Sequence, residues 1–120
     1  MSCSDRLFHA ADYLRPSDGE PFRSVVRETA ESVIVVWHVR PGQTLPVHVH
    51  PHGQDTWTVL AGRADYLAGP GRQVPLAVGD IAVATAGEWH GAINTGDEDF
   101  VFVSVVAPGA AGYQRIDGAS

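Results

Sequence analysis

Residues 42–62 read GQTLPVHVHPHGQDTWTVLAG and carry three of the six histidines of the chain: His48, His50 and His52. In a β-strand alternate side chains point to the same face, so His48 and His50 would share a face with their Cα atoms about 6.5–7 Å apart. That separation lets both imidazoles approach one metal ion at about 2.0–2.1 Å. A hydrophilic loop rich in histidine would give the same pattern. The stretch therefore indicates either a strand that presents two metal ligands or a polar loop.

Further candidate ligands lie after this pair. Asp55 offers a carboxylate at the start of the next predicted strand, and His90 follows a glycine turn in the segment AGEWHGAIN at 86–94. His52 continues the alternation only if the strand runs through the preceding proline, which cannot donate to a ladder and usually ends a strand. We therefore expect His52 at the rim of the site. Gln54 is a polar alternative to Asp55.

The two histidine-bearing segments resemble the two motifs of the cupins. Residues 42–62 follow the first cupin motif, G-x5-HxH-x3/4-E-x6-G, at every spacing. Residues 79–94, GDIAVATAGEWHGAIN, follow the second motif, G-x5-P-x-G-x2-H-x3-N, in the same way. Asp55 stands where the family has glutamate, and Thr85 stands where it has proline. Two long motifs in the right order are far more specific than a lone HxH pair.

This resemblance implies both a fold and a site. The expected fold is all-β: a single conical double-stranded β-helix, which is the RmlC-like jelly-roll barrel of the cupins. The resemblance also implies a divalent metal ion near the wider mouth of the barrel. Carried over by position, its ligands would be His48, His50, Asp55 and His90. Because members of the family usually dimerise, the resemblance implies a homodimer.

The carboxylate of Asp55 raises a question of reach. Aspartate is one methylene shorter than glutamate, so its carboxylate falls short by about 1.5 Å unless the backbone shifts. Asp55 could bind the metal directly, bind it through water, or leave the position to Gln54 or His52.

Strand signals outside the motifs support an all-β domain. Runs rich in β-branched and apolar residues, bounded by glycine and proline turns, lie at 32–39, 56–62, 64–69, 74–84 and 99–107. No window has a helical period longer than about three turns, and short strands spaced in this way are typical of a sandwich or barrel. We predict an N-terminal arm with room for one strand (1–31), the barrel (32–108) and a C-terminal tail (109–120).

Composition excludes several classes of function. The net charge of −6 and the absence of any basic cluster argue against nucleic acid as a partner. The single cysteine, Cys3, excludes an internal disulfide and a thiolate metal site. The sequence has no signal-peptide pattern and no apolar run of about 18 residues, so we expect a soluble, cytoplasmic protein that does not enter membranes.

Several conspicuous side chains have a purely structural interpretation. His38 lies in an apolar strand and is expected to be a hydrogen-bonded core histidine, whereas His9 is expected at the surface. Trp57 is expected in the barrel core, and Trp89 at the surface or an interface. Phe100 and Phe102 share a strand face and could pack inside the barrel or against a partner sheet.

Three imidazoles and at most one carboxylate suit Fe, Zn, Ni, Cu or Mn, and the ligand types alone do not choose among them. The first hypothesis is a metal-dependent enzyme that acts on a small organic molecule, either a dioxygenase or an isomerase, cyclase or lyase. Its catalytic residues are not assigned, although His52, Gln54 or Glu88 could move protons. The alternative is a non-catalytic module that binds a small ligand or a metal.

Overall fold

The computed structural model describes residues 3–117 of the chain. Residues 1–2 and 118–120, which belong to the predicted arm and tail, lie outside the described residues. The described part begins with two short 3-10 helices, Cys3–Arg6 and Ala10–Tyr13. Ten strands follow: β1 (Phe22–Glu28), β2 (Val33–Val39), β3 (Thr44–Val49), β4 (Gln54–Ala61), β5 (Arg63–Gly69), β6 (Arg72–Ala77), β7 (Ile81–Ala84), β8 (His90–Ile93), β9 (Phe100–Ala107) and β10 (Gln114–Arg115).

The strands form two five-stranded antiparallel sheets. One sheet has the order β1-β2-β9-β4-β7, and the other has the order β10-β3-β8-β5-β6. Neighbours such as β2 and β9 are distant in sequence, which is the connectivity expected of a jelly roll. The prediction of an all-β double-stranded β-helix is therefore confirmed. In the described part of the chain, no helix has the length and apolar character needed to span a bilayer.

The core lies between the two sheets. Trp57 is 1% exposed, and its ring stacks on Phe102 with the ring centroids 4.0 Å apart. Tyr66, from the other sheet, meets the edge of Trp57 at 5.2 Å. Phe100 and Phe102 are both fully buried in this cluster, so the barrel interior and not a partner sheet receives them. The prediction that Trp57 is a core residue is also confirmed.

Both ends of the described chain contribute strands to the sheets. Within the predicted arm, β1 pairs along most of β2, with Arg23 opposite Trp37 and Glu28 opposite Val33. Within the predicted tail, β10 pairs with the outer edge of β3. The segment 111–116, which we call the C-terminal strap, is held further by backbone hydrogen bonds from His52 to Ala111 and from Ile116 to Val47.

Candidate metal centre

Two of the candidate ligands face each other across a strand pair. β3 and β8 are antiparallel, and His48 lies directly opposite His90, with their ring centroids 4.0 Å apart. Gly91 allows the two backbones to approach closely, because a Cβ atom there would lie 2.9 Å from the carbonyl oxygen of Leu45. His50 follows at the end of β3, with its ring 4.9 Å from that of His90. Alternation along β3 and the pairing of β3 with β8 therefore bring three imidazoles into one cluster.

Asp55 reaches this cluster from the opposite sheet. Its Oδ2 lies 3.0 Å from Nε2 of His90 and 3.3 Å from Nε2 of His50. Its Oδ1 accepts a hydrogen bond of 2.5 Å from Oγ of Ser104 on β9. One potential ligand atom from each of His48, His50, Asp55 and His90 lies within 4.8 Å of the others. The shorter aspartate side chain thus brings its carboxylate into the cluster.

Each histidine directs its Nδ1 atom at a backbone carbonyl. The acceptors are the carbonyl of Pro46 for His48 at 2.9 Å, that of Gly112 for His50 at 2.7 Å, and that of Glu88 for His90 at 3.3 Å. Carbonyl oxygen only accepts, so Nδ1 carries a proton, and in the neutral form of each ring the lone pair lies on Nε2.

The Nε2 atoms of His50 and His90 are buried; both lie at ion-pair distance from Oδ2 of Asp55, but neither makes a hydrogen bond of good geometry with any described residue. Buried nitrogens are rarely left unpartnered, so these two atoms need an explanation. Neutral imidazole nitrogens beside a buried carboxylate form a donor set that fits a divalent transition metal ion. The carbonyl partners on the far side of each ring are the usual support of such ligands.

Burial and mutual charge shift the pKa values in the cluster. Burial, followed by the charge of His90, lowers the pKa of His48 from 6.5 to about 4. Burial alone would raise the pKa of Asp55, but the imidazoles of His50 and His90 and the Ser104 hydroxyl outweigh burial and hold it well below its ordinary value. Burial also opposes protonation of His50, yet Asp55 and the Gly112 carbonyl raise its pKa overall. Because its pKa is lowered, the carboxylate of Asp55 is ionised at neutral pH.

A cavity of about 470 Å³ opens onto the cluster. His48, His50 and Asp55 line its base together with Ser104. Its walls come from the inner faces of β1, β2 and β9, from Gly109 and from the C-terminal strap. They comprise Arg23, Glu28, Val33, Val35, Trp37, Val106, Gly109, Ala111, Gly112 and Tyr113. Tyr113 is 63% exposed, and its ring centroid lies 5.0 Å from that of His48. The candidate ligands are thus reachable by a small molecule.

The other polar residues considered as ligands lie outside the cluster. His52 and Gln54 are exposed and lie near the cluster in sequence. His9, near the N-terminus, is exposed as predicted. His38 is buried, and its Nε2 donates a 2.6 Å hydrogen bond to Asp99, which confirms the prediction of a hydrogen-bonded core histidine. Glu88 is exposed and accepts hydrogen bonds from the backbone and hydroxyl of Thr85.

Sequence reasoning missed four residues that contribute to the site. Ser104 is the one hydroxyl residue within the apolar strand β9, and this interruption could have indicated it. Gly112 and Tyr113 belong to a segment interpreted as a tail. Arg23 belongs to a strand whose inner face is defined only by its pairing with β2.

Comparisons with known proteins agree with this fold. The family model of the cupin domain matches residues 35–106. A solved structure from Klebsiella pneumoniae, an uncharacterized conserved protein with a double-stranded beta-helix domain, is 58% identical with a TM-score of 0.91; the match covers 93% of this chain and 97% of that one. An RmlC-like cupin protein from Desulfovibrio desulfuricans is 27% identical with a TM-score of 0.72, over 79% and 89% of the two chains.

A functionally named relative matches over a shorter length. The Oxalate-binding protein of Thermotoga maritima is 30% identical over 66 residues, which are 55% of this chain. The match covers 54% of that protein, so the chain spans about half the length of this relative.

Proposed function

The chain belongs to the cupin family, and from this premise we propose that it binds a divalent transition metal ion through His48, His50, His90 and Asp55. The observation that carries the proposal is the convergence of four potential ligand atoms within 4.8 Å, including two buried imidazole nitrogens whose lone pairs face the carboxylate of Asp55. The ionised carboxylate of Asp55 supplies the negative charge that offsets a divalent cation. Fe, Zn, Ni, Cu and Mn all fit this set of ligands.

We propose further that the protein is a metal-dependent enzyme acting on a small organic molecule, of the dioxygenase or of the isomerase, cyclase or lyase type. A metal ion here would supply a Lewis acid, or a redox centre if it is iron, copper or manganese. The cavity supports this proposal, because a volume of about 470 Å³ lies within the usual range for small-ligand sites. Its half-buried Trp37 and its valines form an apolar surface on one side of the site.

Metal binding is tested by elemental analysis of the protein after mild purification. We expect the wild type to retain about one metal ion per chain, as a four-ligand site does. The double variant His48→Ala/His50→Ala should lose it. His52→Ala is the matched control, because His52 is exposed and lies in the same stretch of sequence, and it should retain the metal. Equal metal content in all three proteins would refute the proposal.

A non-catalytic binding module is the second candidate, and the name of the Thermotoga maritima relative favours it. The two candidates differ in turnover. The metal-loaded protein is incubated with a panel of organic acids, dicarbonyl compounds and thiols, and O₂ uptake and product formation are followed. Turnover that disappears in His48→Ala/His50→Ala supports the enzyme. Thermal shifts with a panel member in the absence of turnover support the module.

We propose in addition that the protein is a cytoplasmic homodimer and that nucleic acid is not among its partners. The outer face of the first sheet supports self-association, since it exposes Ile81 and Val83 on β7 and Leu60 on β4, at 64%, 50% and 40%. An apolar cluster of this kind is typical of an interface. Ile81→Glu should convert a dimer to a monomer in light scattering, whereas Val74→Glu, on β6 of the other sheet, should not. A monomeric wild type would refute the dimer.

A further inference from the structure

The cavity above the candidate metal centre combines one cationic side chain with an apolar wall. Val33, Val35 and Trp37 alternate along β2 and line the same side of the cavity. Val106 of β9 extends this apolar wall beside β2. A metal site that bound only water or inorganic ions would gain nothing from an apolar wall. Such a wall favours a ligand with apolar surface, because burying that surface against it is stabilising.

Arg23 is the cationic residue of this cavity. It lies opposite Trp37 in the β1–β2 ladder and lines the same cavity as His50. The charge of Arg23 acts electrostatically on the imidazole of His50. Among the described residues Arg23 has neither an ion pair nor a side-chain hydrogen bond, although Glu28 lines the same cavity five residues further along β1. A guanidinium without a partner at the mouth of a site matches the planar geometry of a carboxylate.

We propose that the cavity selects a small organic acid with one carboxylate and an apolar body. The carboxylate pairs with Arg23 beside the candidate metal centre, and the apolar body packs against Val35 and Trp37. This inference rests on the proposed function, because it assigns a class of ligand to the same site. It differs from what the name of the Thermotoga maritima relative indicates, since oxalate carries two carboxylates and no apolar body to cover the wall formed by β2.

Three probes separate the two contributions. Phenylacetate has both the carboxylate and the apolar body, phenylacetamide has the body without the charge, and oxalate has the charge without the body. Calorimetric titration of the zinc-loaded protein should show phenylacetate binding at least about tenfold more tightly than either of the others. Against phenylacetamide the preference comes from the charge-assisted hydrogen bond to Arg23, and against oxalate it comes from burial of the apolar body. Tighter binding of oxalate or phenylacetamide would overturn the proposal.

The role of Arg23 is tested with a matched pair of variants. Arg23→Gln should weaken phenylacetate binding about tenfold to a hundredfold and leave phenylacetamide unchanged. Glu28→Gln alters the other charged residue that β1 contributes to the cavity, and it should not weaken phenylacetate binding. Equal phenylacetate affinity in Arg23→Gln and the wild type would overturn the proposal.

Zinc affinity is measured separately, by competition with a chelating indicator, so that failure of the metal site is recognised as such. Arg23→Gln is expected to bind zinc as the wild type does. If the wild type binds neither zinc nor iron, nickel, copper or manganese, the proposed function fails, and the same three probes are titrated into the metal-free protein. Preference for phenylacetate that depends on Arg23 would then still support the inference, and its absence would refute it.

Discussion

The C-terminal strap gives the sharpest test of how the candidate metal centre is built. Gly112 has a φ of +79°, which side-chain-bearing residues rarely adopt, and its carbonyl oxygen accepts a 2.7 Å hydrogen bond from Nδ1 of His50. A Cβ atom at this position would make ordinary contacts, 3.4 Å from Pro51 and 3.6 Å from His52. Gly112→Ala therefore introduces backbone strain without a steric clash. That strain is expected to cost about 1–2 kcal/mol of folding stability.

Gly71 provides the matched control. It lies in the β5–β6 turn with a φ of +66°, and a Cβ atom there would have no neighbour within 4 Å, so Gly71→Ala carries the same kind of strain far from the strap. Both variants should lose a similar free energy of unfolding in urea. Only Gly112→Ala can relieve its strain by turning the carbonyl away from His50. The predicted difference between the two variants is therefore in metal affinity alone.

Loss of a hydrogen bond that supports a metal ligand typically reduces affinity about tenfold to a hundredfold, or about 1.4–2.7 kcal/mol. Competition of the apo proteins with a chelating indicator for zinc measures this quantity directly. We expect Gly112→Ala to bind zinc about tenfold to a hundredfold more weakly than the wild type. The zinc affinity of Gly71→Ala should stay within about twofold of that of the wild type. Equal zinc affinities of the two variants would show that the strap does not orient His50.

Three other predictions concern the core and the candidate ligands. Trp57→Ala removes a ring that is 1% exposed and should cost about 3–5 kcal/mol in urea denaturation; a loss below about 1 kcal/mol would contradict its place in the core. The metal-free protein should lose stability as the pH falls from 6.5 to about 4, because unfolded His48 takes up a proton before folded His48 does. This contribution is at most about 3 kcal/mol, and unfolding midpoints should depend less on pH in His48→Gln; an unchanged dependence would exclude His48 as the cause. Ser104→Ala, which removes the hydroxyl that donates to Asp55, should raise the pKa of that carboxyl and weaken zinc binding about tenfold, whereas Thr58→Ala on the same sheet should not; equal affinities would argue against support from Ser104.

Local patterns in the sequence were sufficient for much of the fold. The β-branched runs that became β2 and β9 have strong strand preference, and both were expected within one or two residues of their observed ends. Period-two alternation placed His48 and His50 on one face, and motif spacing pointed to His90 and Asp55 as their neighbours in the fold. These inferences succeeded because strand geometry and turn chemistry act over a few residues.

The strands formed by the two ends of the chain could be assigned only from the tertiary structure. The segment GAAGYQRID has few strand-forming residues, and its two-residue strand β10 exists because β3 offers an unpaired edge. The sequence FRSVVRE alternates, but only pairing with β2 determines that Arg23 and not Ser24 lines the cavity. A shift of one residue in that register would exchange the two faces.

The sequence by itself determined the all-β fold, the family and the set of candidate ligands, because each depends on spacing along the chain. Only the tertiary structure decided that the short carboxylate of Asp55 meets the imidazoles, since that distance is set by the separation of two sheets. It likewise decided that the Gly112 carbonyl orients His50 across 62 residues of sequence. Contacts of this kind depend on the packing of segments remote in the chain, and no local preference encodes them.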